Sequence, residues 1–87
     1  MVVLSIHRIH CVQGEFEKMN QMEACVFVHI RADNPADIDR SRPCELYKLI
    51  STKMNDGVAE PCIQNKEDRV YFSKYKMVIE NVLRTCP

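Results

Sequence analysis

Two stretches rich in β-branched residues open the chain, Val2 to Gln13 and Glu23 to Ala32, and each is followed by turn chemistry at Gly14 or at Asp33-Asn34-Pro35. In the second, Ala24, Val26, Val28, Ile30 and Ala32 form one apolar row, while Glu23, Cys25, Phe27, His29 and Arg31 form the other. This alternation predicts a strand with even-numbered residues facing the core. The first stretch agrees at Val2, Leu4, Ile6 and Val12 and disagrees at Arg8 and His10. Between them GEFEKMNQM, Gly14 to Met22, has to turn the chain. Pairing Val12 with Val26 and Phe16 with Met22 keeps both apolar rows together, whereas a slip of one residue sends one row to solvent. The expectation is a hairpin with an extended loop near Glu17–Gln21.

Helical spacing dominates the second half. After the linker-like ADNPADIDRSRP, Ser41 is placed to cap a helix with Pro43 in its first turn, Leu46, Leu49, Ile50 and Met54 on one side, and Gly57 at its end. GVAEPCIQNKED has little periodicity, and one short edge strand is expected near Cys62–Gln64. In the final segment, Tyr71, Phe72, Tyr75, Val78, Ile79, Val82 and Leu83 share an arc of about 140°, which only Val70 and Met77 break. A helix from near Asp68 to Thr85 follows; the competing reading makes Val70–Phe72 a strand. The sum is a single α+β domain over residues 1–87, in two layers, with both helices on the apolar face of a small antiparallel sheet.

Composition narrows the function more than it names one. Twelve basic and twelve acidic residues cancel, so no long-range field recruits phosphate or an anionic membrane. Nucleic acid is therefore an unfavoured partner. The opening MVVLSIHRIH is too short in apolar residues for a membrane span. Five cysteines, at positions 11, 25, 44, 62 and 86, show no CxxC spacing, and an odd number cannot pair completely within one chain. These features lead to the expectation of a cytoplasmic protein with free cysteines.

Each constellation of reactive residues has a plainer explanation. In IHRIHCV, a strand sends His7 and Cys11 to one face and His10 to the other, with His7 and Cys11 about 13 Å apart. Cys25 and His29 share that outer face, so Cys11 opposite Cys25 and His7 opposite His29 yields only ligand pairs, where structural zinc takes four ligands. Cys44, in the first helical turn, is the best-placed nucleophile but has no histidine near it in sequence. Asp33, Asp37 and Asp39 lack the glycine and glutamate of a calcium loop. Two glycines, Gly14 and Gly57, make no phosphate cradle. No catalytic residue, metal or cofactor is expected.

What remains is apolar material where solvent is expected. Phe16, Met19 and Met22 lie in or beside the hairpin loop, and Ile9 and Phe27 on the outer sheet face. A contiguous apolar group marks a contact surface, and methionine suits an adaptable one. The leading expectation is a non-enzymatic protein–protein interaction module that binds another protein: a small adaptor, immunity-type protein or stoichiometric inhibitor, of the kind viruses and mobile elements also carry. Pairing into a homodimer through open sheet edges stands beside it. The alternative is a nucleic-acid-associated regulator using Arg69, Lys74, Lys76 and Arg84 on the last helix.

Overall fold

The computed structural model describes the backbone of residues 2–35 and 41–87, and the side chains of residues 14–35 and 41–87. Its elements in chain order are helix α1 (Val2–Asp33), helix α2 (Pro43–Asn55), a 3-10 turn at Glu60–Cys62, and helix α3 (Lys66–Arg84). No strand occurs among the described residues, so the fold is helical and the expected α+β sheet is wrong in class.

The hairpin and both of its strands are replaced by one helix of 32 residues, about 48 Å at 1.5 Å per residue. Three features explain the outcome. First, GEFEKMNQM contains good helix formers and lacks the Asn-Gly or Asp-Gly pair that closes a tight hairpin. Second, Met22, Val26 and Ile30 recur every fourth residue and are buried, with Met19 packed beside them. Val28, inside the expected even-numbered row, is 64% exposed. Third, a β-branched residue costs a helix only a few tenths of a kcal/mol, whereas burying a Val or Ile side chain contributes about 1.5–3 kcal/mol. Tertiary burial outweighs local preference by several-fold.

The two later helices follow the sequence closely. Pro43 is the first residue of α2, where its missing N–H costs nothing, and Arg42 rather than Ser41 takes the cap position. At the other end Gly57 adopts φ +83°, its N–H bonds the Met54 carbonyl at 3.2 Å, and the Val58 N–H bonds the Lys53 carbonyl at 3.1 Å. This is a Schellman stop, in which a left-handed glycine lets two terminal carbonyls find donors. In α3 the Asn65 side chain accepts from the Asp68 N–H at 2.8 Å, while the Asp68 carboxylate accepts from the Gln64 N–H at 3.0 Å. That reciprocal cap starts α3 at Lys66, two residues before the expected start, and makes Val70–Phe72 helical. The edge strand expected near Cys62–Gln64 is the 3-10 turn and its exit.

Among the described residues a single cluster forms the core. Met22, Val26 and Ile30 of α1 meet Ile50 and Met54 of α2, Ala59 and Cys62 of the connection, and Phe72, Tyr75 and Ile79 of α3. Two cross-links pin it: Cys25–Cys62 joins α1 to the 3-10 turn, and Cys44–Cys86 joins the first turn of α2 to the residues after α3. The expectation of free cysteines is thereby overturned for four of the five. Separations of 37 and 42 residues leave no local spacing by which the pairs could be read. Between helices, Lys18 pairs with Glu67, and Lys53 with Asp33 at 2.8 Å.

Candidate functional site

Concave surfaces lie where α1 meets α3 and where it meets α2. Where α1 faces α3, Glu15, Phe16 and Met19 oppose Tyr71, Lys74, Met77, Val78 and Asn81 across a groove of about 420 Å³. Phe16 is 63% exposed, Met77 62% and Val78 47%. Val78 leaves the buried arc expected of it because α3 buries only Phe72, Tyr75 and Ile79. Tyr71 is half-buried at one end of the groove, with the Lys18 ammonium 5.7 Å and the Lys74 ammonium 5.2 Å from its ring centre.

Where α1 faces α2, Phe27, Val28, Leu46, Tyr47 and Tyr75 line a second groove of about 620 Å³. Burial holds the Tyr75 phenol well above its usual range, and the neighbouring Glu23 and Tyr47 push it the same way. Tyr75 therefore stays neutral where an exposed phenol would begin to ionise.

The third hollow, about 340 Å³, lies over the Cys25–Cys62 disulfide between α1, the 3-10 turn and the start of α3, with Lys18, Gln21, Gln64 and Glu67 among its walls. Beside that disulfide stands His29, one helical turn beyond Cys25. The ligand-capable atoms of Cys25, His29 and Cys62 all lie within 4.8 Å of one another.

Of the five expected partner-binding residues, the four with described side chains fall in different places. Phe16 and Met19 share the α1–α3 groove; Met22 is a core residue, 5% exposed; Phe27 is half-buried on the α1–α2 side. Ile9 lies outside the described side chains, as do His7, His10 and Cys11, and Asp37 and Asp39 lie outside the described residues. Cys44, the best-placed nucleophile by sequence, has its sulfur bound to Cys86. Asp33 pairs with Lys53. Sequence reasoning set Met77 outside the apolar arc without assigning it to a contact surface, placed Val78 within the arc although it is exposed, and missed Cys62 as the neighbour of His29. Spacing held a usable clue, since Cys25 and His29 are four apart, which separates them on a strand and stacks them on a helix.

Among the described residues no helix is long and apolar enough to cross a membrane. Compared with family models, curated proteins and solved structures, the chain finds no match in any of the three.

Proposed function

We propose that this chain is a non-enzymatic protein-binding domain that receives an apolar helical segment of a partner protein in the groove between α1 and α3. The observation that carries this reading is the adjacency of Phe16, Met77 and Val78, three exposed apolar side chains from two helices around one concave strip. Scattered exposed apolar residues are ordinary, but a contiguous strip in a groove keeps an unfavourable contact with water that a partner would relieve. A groove between two helices fits the apolar face of a third, read through anchors at helical spacing. Glu15 at one rim and Lys74 at the other supply polar contacts that fix orientation.

We further propose an oxidising compartment as the working environment, in place of the cytoplasm expected from the sequence. The support is the pair of cross-links, since disulfides persist where thiols are not kept reduced.

The test is affinity capture from the native source with the oxidised chain and with a Phe16→Asp, Met77→Asp variant. Both positions are mostly exposed, so the variant keeps the helical circular dichroism of the parent. Loss of a specifically retained protein from the variant supports the reading. Identical retention by both chains refutes this groove.

A further inference from the structure

We propose that Cys25, His29 and Cys62 form a redox-gated zinc site, in which a thiolate–imidazole zinc centre replaces the Cys25–Cys62 disulfide when that bond is reduced. The inference stands apart from the α1–α3 groove and does not depend on it; it concerns the chain before its disulfides form or wherever they are reduced, not the oxidised form of the compartment proposed above.

Placement comes first. Cys25 and His29 lie four apart on α1, so they project from one face with Cβ atoms roughly 5–6 Å apart. Cys62 comes from the 3-10 turn, whose geometry is fixed by Pro61 and by the Cys62 N–H bonding the Ala59 carbonyl at 3.0 Å. The three donor atoms lie within 4.8 Å of one another. Tetrahedral zinc holds its ligand atoms roughly 3.3–3.8 Å apart, given Zn–S near 2.3 Å and Zn–N near 2.0 Å. Small side-chain rotations that part the two sulfurs therefore complete the set without moving the helix.

Charge agrees with placement. Two thiolates cancel the dication, so the centre is neutral overall, as suits a position where Cys62 is buried and Cys25 and His29 are half-buried. Both cysteines line the hollow beside Lys18 and Glu67, which offers an entry path and room for a water in the fourth position. Two sulfurs and one imidazole form a borderline-soft set that favours zinc over magnesium or calcium.

The chemistry balances. A dithiol reductant gives two electrons and two protons to the disulfide, leaving two cysteine thiols and becoming a disulfide itself. Zinc then displaces the two thiol protons to solvent and accepts the lone pair of neutral His29, with no further electron transfer. Oxidation by an external disulfide runs the sequence backwards and expels the ion. Under reducing conditions zinc thus keeps α1 tied to the 3-10 turn.

The experiment uses the full chain, oxidised or fully reduced with a phosphine under argon, titrated with zinc against a chromophoric chelator and with cobalt as a spectroscopic probe. The reduced chain should bind one zinc and show thiolate-to-cobalt charge-transfer absorption, while the oxidised chain should bind none. His29→Ala should weaken zinc binding by more than about tenfold, because even an outer-sphere partner is worth that much. Cys11→Ser and the Cys44→Ala, Cys86→Ala pair should leave affinity within about twofold. Alkylation mapped by mass spectrometry supplies a second readout: zinc should shield Cys25 and Cys62 but not Cys44 and Cys86. A reduced chain that binds no zinc, that binds it equally well without His29, or whose four cysteines are shielded alike overturns the proposal; the last result also covers a reduced chain that has unfolded.

Discussion

Removing the Cys44–Cys86 cross-link should cost this protein much of its stability. The bond closes a loop with a sequence separation of 42, and the chain-entropy relation assigns such a loop about 4 kcal/mol at 25 °C. A domain of 87 residues has a total stability of roughly 4–13 kcal/mol by the usual per-residue range. Cys44→Ala together with Cys86→Ala thus removes between a third and nearly all of it. The bond Cys25–Cys62, with a separation of 37, should be worth almost the same, about 3.8 kcal/mol. The two loops interleave, since Cys44 lies within the first and Cys62 within the second, so deleting either pair leaves one closed loop in the denatured chain. Equilibrium unfolding in guanidinium without reductant measures the difference. Extrapolated free energies rather than midpoints must be compared, because a chain freed of one cross-link exposes more surface on unfolding and has a steeper slope. A loss below about 1 kcal/mol for the Cys44/Cys86 pair would refute the reasoning, as would finding more than one titratable thiol per unreduced, unfolded monomer.

Other outcomes follow from single positions. Gly14 sits in α1 with nothing within 4 Å of an added Cβ, so Gly14→Ala should stabilise by about 0.5–1 kcal/mol; Gly57→Ala, at φ +83°, should destabilise by about 1–2 kcal/mol, both read by thermal unfolding. Ile30→Ala should cost about 2–5 kcal/mol and Val28→Ala less than about 0.5 kcal/mol, since Ile30 is buried and Val28 exposed; equal losses would revive the strand alternation. Tyr75 has a folded-state affinity for its proton above that of the unfolded chain, so its contribution is complete below the unfolded phenol value near 10 and is lost as pH rises beyond it, at up to about 1.4 kcal/mol per pH unit. Tyr75→Phe should flatten that decline in alkaline unfolding curves, and an unchanged slope would disprove the assignment.

By itself the sequence determined the elements that local signals control. Pro43 and Gly57 bracket α2 because proline at a helix start and left-handed glycine past its end are backbone requirements independent of neighbours. Most of α3 was equally legible from its apolar arc, and Asn65 with Asp68 supplied a start signal that periodicity alone placed two residues late. The first 33 residues were another matter. MEACVFVHIRA, Met22 to Ala32, satisfies the two-residue period through Val26, Val28 and Ile30 and the four-residue period through Met22, Val26 and Ile30, and only burial against α2 and α3 selects the second. Once the helix prevails, everything read from the strand changes with it: Cys25 and His29, about 13 Å apart on one face of a strand, close to within a single helical turn, Met22 enters the core, and Phe16 leaves a hairpin loop for a groove wall. The cysteine pairs were decided at the same level, since partners 37 and 42 residues apart meet only when three helices pack. Local chain geometry is written residue by residue, whereas face selection and cross-linking depend on long-range burial energies larger than any local propensity in this chain.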